Sequence, residues 1–150
     1  MKITRRHAIK VGSIGALIGT ISSLTKTVFA EWPAAAFDTT DYKDSFAAVT
    51  NGEEPQEGGI TIEAPEIASN GATVPVTIST DMENVKSISI LVENNPRPYI
   101  ATFLINENIE ATISTRVKMR ETSNVVAIVE TDSGKFIAKQ SVKVTAGGCA

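Results

Sequence analysis

The sequence predicts an all-β protein: an immunoglobulin-like antiparallel β-sandwich of about seven strands, with a short N-terminal helix and a flexible C-terminal arm. Over residues 60–145, apolar residues alternate with polar ones in short runs, the period expected of half-buried strands. Glycine, asparagine, aspartate and proline separate these runs, as they do where turns connect short strands. The chain therefore divides into an export signal (1–30), a helix with a linker (31–59), the sandwich (60–145) and the arm (146–150).

Residues 1–30 have the composition of an export signal. Basic residues precede an apolar stretch at 11–24, and Ala30 offers a small residue before a cleavage point. The pair Arg5-Arg6, followed by Lys10, resembles a twin-arginine signal. The apolar stretch is shorter than the roughly 20 residues that a membrane-spanning helix needs. We expect a periplasmic protein that is exported through the twin-arginine route, already folded, and not anchored in the membrane after cleavage.

One helix is predicted in the second segment. Thr40 or Asp41 can cap its N-terminus, and Gly52 suits its end. A helix this short is marginal alone in water, so its apolar stripe should dock on the domain or on a partner. That stripe consists of Tyr42, Phe46 and Val49.

The segments beside this helix are less regular. Trp32 and Phe37 either pin the chain ahead of the helix or belong to a frayed N-terminal arm. Glu53–Gly59 is rich in Glu, Pro and Gly, and these residues are typical of a linker.

Seven apolar rows predict the strands of the sandwich. Because the chain has a single cysteine, no internal disulfide can staple the two sheets, and their inner faces must supply the stability. The predicted rows are Ile60 and Ile62; Val74, Val76 and Ile78; Ile88, Ile90 and Val92; Tyr99, Ala101, Phe103 and Ile105; Ile109, Ala111, Ile113 and Val117; Val125, Ala127 and Val129; and Phe136, Ala138, Val142 and Val144.

Four positions between or within these rows predict local geometry. Pro75 cannot donate to a sheet ladder, which indicates an edge or a bulge. Gly134 closes a predicted hairpin turn over Thr131–Gly134. A break in the alternation near Lys139-Gln140 suggests a bulge. The Asn94–Pro98 loop, with Arg97 near its tip, either shapes a binding edge or is a structural turn.

The charge of the mature part excludes two kinds of partner. The signal holds five of the fourteen Lys and Arg residues and none of the seventeen acids, so nine basic and seventeen acidic residues remain, a formal charge of −8. An acidic surface argues against binding nucleic acid or an anionic membrane.

Cys149 is the candidate functional residue. It is the only cysteine, and it stands next to the last residue. The preceding pair Gly147-Gly148 is expected to be conformationally free and not packed in a core. A buried structural cysteine and a meaningless terminus are the alternatives. In an exported protein an exposed odd thiol risks unwanted disulfides, which favours a functional role.

Catalysis by this chain alone is not expected. The only histidine, His7, lies in the signal, so the mature part has no Cys-His pair, no haem histidine and no zinc or copper ligand set. We therefore predict no enzyme activity, no metal and no cofactor. The thiol is more suited to being a substrate of other enzymes than to acting as a catalytic group. Export in the folded state is better explained by a bound partner subunit than by a bound cofactor.

Several stretches, taken in order, resemble the SoxY family of sulfur-carrier subunits from periplasmic thiosulfate oxidation. The resemblance covers the chain from about Phe46 to its end, together with the twin-arginine signal. Its final stretch ends in Gly147-Gly148-Cys149. The stretches are Val85–Phe103 with its Asn95–Pro98 loop, Ser114–Met119, Thr122-Ser123, Thr131–Lys135 and Val142–Cys149.

The resemblance implies a carrier that binds a second small β-domain subunit, SoxZ, and holds sulfur intermediates covalently on Cys149. It implies three enzymes as further partners: a haem cytochrome that joins thiosulfate to the cysteine, a hydrolase that releases sulfate, and a sulfane dehydrogenase. The family typically ends in Gly-Gly-Cys-Gly-Gly, whereas Ala150 follows Cys149 here. The rival interpretation is a secreted structural or adhesive domain whose cysteine forms an intermolecular disulfide.

Overall fold

The computed structural model describes residues 34–106 and 109–146. Within these residues two helices come first and nine strands follow. The helices are α1 (Ala34–Asp38) and α2 (Tyr42–Thr50). The strands are β1 (Gln56–Glu57), β2 (Thr61–Glu63), β3 (Ile67–Ala68), β4 (Val74–Ser79), β5 (Val85–Val92), β6 (Tyr99–Leu104), β7 (Thr112–Val117), β8 (Ser123–Thr131) and β9 (Gly134–Val144).

Helix α2 is the helix that the sequence predicts, and its ends are set by local hydrogen bonds. The Asp41 carboxylate accepts a hydrogen bond of 2.7 Å from the Lys43 backbone amide, so Asp41 is the N-cap. The helix ends at Asn51, which has a left-handed φ of 56°, and the Gly52 amide donates to the Ala47 carbonyl at 3.1 Å. No helix in the part of the chain described is long and apolar enough to cross a membrane.

The strands form two sheets, as expected for a sandwich. The larger sheet has the order β1-β9-β8-β5-β6, with β3 also paired to β9, and the smaller sheet has the order β2-β4-β7. The central pairs, β8 with β9 and with β5, and β5 with β6, are antiparallel. The predicted all-β, immunoglobulin-like sandwich is confirmed.

The main core lies between the two sheets. The alternating residues of β4 pack against those of β5 and β8, and Met119, just after β7, is fully buried among them. The fully buried members of the predicted rows are Val74, Val76, Ile78, Ile88, Ile90, Val92, Val117, Val125, Ala127, Val129 and Val142.

The larger sheet has a second buried face, which the sequence analysis did not assign. Leu91, Val126 and Ile128 point away from the main core and are almost completely buried. The apolar stripe of α2 and the side chain of Ile137 pack against these three residues. Strands β5 and β8 therefore carry buried apolar residues on both faces, one facing the smaller sheet and the other facing α2.

Two short strands cover the outer edge of β9. Strand β1, inside the stretch predicted as a linker, pairs in parallel with β9 at Phe136 and Ile137. Strand β3 pairs in parallel with β9 at Lys143 and Val144. Strands of two residues have no detectable alternation, so the sequence pattern could not predict them. They add two parallel pairings to an otherwise antiparallel sandwich.

The predicted bulge near Lys139-Gln140 is wrong. Strands β8 and β9 pair without a register shift from Ser123↔Val142 to Thr131↔Gly134. Gln140 shares the side-chain face of Phe136 and Val142, since these positions differ by even numbers. A half-buried polar residue interrupts the apolar row there, and the alternation itself continues.

A register shift occurs instead where β5 pairs with β6, and the extra residue, Ile100, belongs to β6. Ile90 pairs with Ala101, whereas Leu91 pairs with Tyr99, so Tyr99 faces the helix side together with Leu91. The Tyr99 ring meets the Phe37 ring edge to face, with centroids 4.5 Å apart. The placement of Tyr99 in the inward row is therefore corrected, because the bulge reverses its face.

Two other local predictions are confirmed. Pro75 lies beyond the stretch of β4 that pairs with β2, so β4 has only β7 beside it there. Thr131 pairs with Gly134 across a two-residue turn, and Gly134 has a φ of 134°, a conformation that side-chain-bearing residues rarely adopt.

Candidate functional site

The three residues predicted to form the functional arm, Gly147, Gly148 and Cys149, lie outside the residues that the structure describes. The segment that leads into them, Val144–Ala146, is described. We call this segment the arm root.

Hydrogen bonds hold the arm root on the sandwich. The Thr145 amide donates to the Ala68 carbonyl at 3.0 Å, and the Gly71 amide donates to the Ala146 carbonyl at 2.9 Å. The Val144 amide donates to the Thr122 hydroxyl oxygen at 3.0 Å. The chain is therefore attached to the domain up to the residue just before Gly147.

Among the described residues, the hydrogen-bond partners of the arm root include no general base. They consist of backbone groups and the Thr122 hydroxyl, which does not take up a proton near neutral pH. The carboxylates of Glu53 and Asp132 pair with lysines away from the arm root. Glu53 pairs with Lys135 at 3.4 Å and Asp132 pairs with Lys86 at 2.8 Å, while Glu107 lies outside the described residues.

A small polar cluster lies beside α2. Lys139 Nζ is 2.7 Å from a Glu93 carboxylate oxygen, and Asn124 donates to the other oxygen at 2.7 Å. The hydrogen bond to Glu93 raises the pKa of Lys139. Burial raises the pKa of Tyr42, whose ring centroid is 5.8 Å from Lys139 Nζ. These contacts join α2, β8 and β9, and they give the cluster a structural role.

Metal ligands do not converge in residues 34–106 and 109–146. No three His, Cys, Asp or Glu side chains in these ranges lie close enough together to bind one ion.

The Asn94–Pro98 loop is tightly fixed on the segment after β7. Asn95 donates through Nδ2 to the Lys118 carbonyl at 2.6 Å and accepts through Oδ1 from the Arg120 amide at 3.0 Å. Asn94 donates through Nδ2 to the Thr122 carbonyl at 2.9 Å. The loop is therefore a structural turn, and it also places Arg97 beside basic residues that are distant in sequence.

Sequence reasoning did not bring these basic residues together. Arg97 lies in a groove with Arg116, Lys118 and Arg120. Basic residues stand at every second position from 116 to 120. Side chains two positions apart on an extended chain lie on the same face, so this pattern could have indicated a basic surface. Only the pairing of the strands shows that the loop carrying Arg97 reaches that face.

These features define an immunoglobulin-like β-sandwich whose last strand leads, through the anchored arm root, into the sequence Gly147-Gly148-Cys149. The family model described as sulfur oxidation protein SoxY matches residues 46–149. The chain belongs to the SoxY family.

Solved structures agree with this assignment. The chain is 39% identical to the sulfur carrier protein SoxY from Chlorobium limicola f thiosulfatophilum, with a TM-score of 0.61, over 69% of this chain and 94% of that one. It is 18% identical to the superoxide reductase (neelaredoxin) from Ignicoccus hospitalis, with a TM-score of 0.52, over 65% of this chain and 86% of that one. At that identity the second likeness shows the fold alone. No curated protein sequence matches the chain significantly.

Proposed function

We propose that this chain is a carrier protein of thiosulfate oxidation that holds sulfur intermediates covalently on Cys149 and is not itself an enzyme. The observation that supports this most directly is the SoxY family match, which extends through residue 149. The similar structure from Chlorobium is that of a sulfur carrier protein. Cys149 is the only cysteine available for such a role.

The proposed cycle divides the work between the carrier and its partners. A haem enzyme joins thiosulfate to Cys149 through a new S–S bond, the thiol loses its proton, and two electrons pass to the haem enzyme. A hydrolase then uses water to release the terminal sulfonate as sulfate, which leaves a persulfide on Cys149. Where present, a sulfane dehydrogenase oxidises the remaining sulfur. The enzymes supply the base and the electrostatic stabilisation, because no histidine follows His7.

The anchored arm root suits this division of labour. Ala146 is fixed by its hydrogen bond to Gly71, and the next two residues are glycines. Glycine imposes few conformational limits, so a thiol beyond two glycines can enter active sites of different shapes. We further propose that the chain works in the periplasm after twin-arginine export, paired with a SoxZ-like subunit.

Two variants test this proposal in the reconstituted thiosulfate-oxidising system. Cys149→Ser should fold normally and abolish thiosulfate-dependent electron transfer, because the attachment atom is gone. Adding Ser141→Cys to that variant restores an exposed thiol on β9, a rigid strand without an arm. It should stay inactive, because the sulfur cannot enter a partner's active site.

Two results would contradict the proposal. Retained turnover by Cys149→Ser would remove the covalent role of Cys149, and oxidation of thiosulfate by the isolated chain would make it an enzyme. The rival structural role predicts a stable disulfide-linked homodimer, which non-reducing electrophoresis of the exported protein detects.

A further inference from the structure

A groove of about 480 Å³ lies between the Asn94–Pro98 loop and the end of β7. Among the described residues, four basic side chains line it and no acidic one does. Arg97 comes from the loop, Arg116 from β7, and Lys118 and Arg120 from the segment just after β7. These four are among only nine basic residues after position 30, in a stretch that carries seventeen acids. We call this feature the cationic groove.

No carboxylate that the structure describes forms an ion pair with the basic residues of the cationic groove. Across the described part of the chain, Lys86, Lys135 and Lys139 each pair with a carboxylate, whereas the four residues of the groove form no ion pair. All four are exposed. Like charges repel each other, and gathering them without acidic partners on an acidic protein favours binding of an anion from outside.

The backbone of the groove is held in place before any ligand arrives. The Asn95 side chain bonds both the Lys118 carbonyl and the Arg120 amide. On the other side of the loop, the Val92 amide donates to the Pro98 carbonyl at 2.8 Å. A ligand therefore has to order only the basic side chains, which lowers the entropic cost of binding. Arginine side chains also match the spacing of two oxygens in an oxyanion.

The arm root lies next to this groove. The Gly71 amide donates to the Ala146 carbonyl, and the Gly71 carbonyl accepts from the Met119 amide at 2.7 Å. Met119 stands between Lys118 and Arg120 in the sequence. Gly71 therefore links the arm root to the backbone that carries two of the four cations. Three further residues can span roughly 10 Å, at about 3.3 Å per residue.

We propose that the cationic groove is a binding site for a sulfur oxyanion, taken either as free thiosulfate or sulfate or as the sulfonate of a thiosulfonate attached to Cys149. The second source rests on the proposed carrier function. Binding there neutralises the clustered charge, and it gives a loaded arm a resting position beside its own root.

Free-anion binding is measured first, on the Cys149→Ser chain, which cannot be loaded. Thiosulfate and sulfate are titrated against sodium chloride of equal ionic strength, with detection by NMR of the backbone and arginine Nε signals. We expect saturable shifts at Arg97, Arg116 and Arg120, and a fivefold or greater loss of affinity in the double variant Arg116→Gln, Lys118→Gln. The matched double variant Lys43→Gln, Lys143→Gln removes two basic residues outside the groove and should bind as before.

Binding of the sulfonate attached to Cys149 is measured on the native chain after treatment with tetrathionate. The Cys149 thiolate attacks a divalent sulfur of tetrathionate and expels thiosulfate, which leaves a Cys149–S–S–SO₃⁻ group. Loading should shift the same groove signals without added anion, and a reductant should reverse the shift. If free anions bind but loading shifts nothing, the site stands and its ligand is the free anion.

Shifts that sodium chloride reproduces, or that persist unchanged in Arg116→Gln, Lys118→Gln, would overturn the proposal, provided that the thermal unfolding of that variant shows an intact fold. This result is separable from a failure of the carrier role, because the titration uses a chain without Cys149 and no partner enzyme.

Discussion

At the scale of single residues, Asn95 is the side chain that connects most of the observations. Its amide joins the loop after β5 to the backbone on both sides of Met119. Met119 is itself fully buried in the main core. One polar side chain thus fixes the position of Arg97 relative to Lys118 and Arg120, and it does so at the segment that contacts the arm root through Gly71.

Replacing Asn95 with alanine should lower the free energy of unfolding by about 1–2 kcal/mol, because two backbone groups lose a partner and only partly regain one from water. Urea unfolding measures the change. Asn106→Ala is the control, since Asn106 is exposed and its substitution should stay within about 0.5 kcal/mol. Equal effects of the two substitutions would show that the Asn95 hydrogen bonds do not stabilise the loop.

At the scale of secondary structure, β5 and β8 are buried on both faces, and α2 covers the outer one. Leu91, Val126 and Ile128 would be exposed to water without that helix. A nine-residue helix has little stability of its own. Helix α2 and the outer face of the sheet therefore stabilise each other, and α2 belongs to the folded domain.

Truncating Phe46 tests this docking. Phe46→Ala should destabilise the protein by about 2–3 kcal/mol, less than the roughly 3–5 kcal/mol typical of a fully buried phenylalanine, because Phe46 is only half-buried. The control is Lys43→Ala on the exposed side of the same helix, which should change stability little. Chemical denaturation compares the two, and similar values would contradict the docking of α2.

The helix cap gives a second test at this scale. Asp41→Ala should cost about 1 kcal/mol, because the Lys43 amide loses its acceptor. Asp41→Asn keeps an acceptor oxygen and should recover most of that loss. Thermal unfolding of both variants measures the difference. No recovery by asparagine would mean that the negative charge of Asp41 matters more than its hydrogen bond.

At the scale of the whole molecule, the pKa values of four side chains in the described part of the chain shift in the same direction. Burial raises the pKa values of Tyr42 and Tyr99. Hydrogen bonds to Glu93 and Asp132 raise those of Lys139 and Lys86. Each raised value means that the folded protein holds a proton more tightly than the unfolded chain does.

Stability should therefore fall as the pH rises above about 10, where these groups begin to ionise in the unfolded chain. The stabilisation is complete below the unfolded pKa values and is lost as the pH passes through the raised folded ones. Urea unfolding between about pH 8 and 11 measures this loss, and tyrosinate absorbance follows the two tyrosines. The double variant Tyr42→Phe, Tyr99→Phe should show a shallower decline. A flat stability profile would contradict the assigned directions.

The sequence predicted an element of the structure when its pattern of apolar residues extended over enough positions to be recognised. Long alternating rows, such as those of β5 and β8, identified the sandwich and its main core, and the Asp41 cap with its apolar stripe identified α2. The parallel strands β1 and β3 were too short to show a period. The bulge that turns Tyr99 to the helix side arises from pairing between strands, and a single strand does not reveal it.

The sequence likewise identified one part of the candidate site and missed the other. Cys149 stood out because it is the only cysteine and follows two glycines, which are local facts. The cationic groove combines a loop with the end of a strand that is not adjacent in sequence, so it became visible only when the pairing was known. The broken row near Lys139-Gln140 misled because a polar residue at an inward position resembles a change of phase.

The intact mass of the exported protein, purified without reductant from cells oxidising thiosulfate, tests the central claim most directly. The account predicts sulfur or thiosulfonate adducts that map to the peptide containing Cys149 and disappear on reduction. Protein that carries no such adduct, with Cys149 either free or in a disulfide between two copies of the chain, would contradict it.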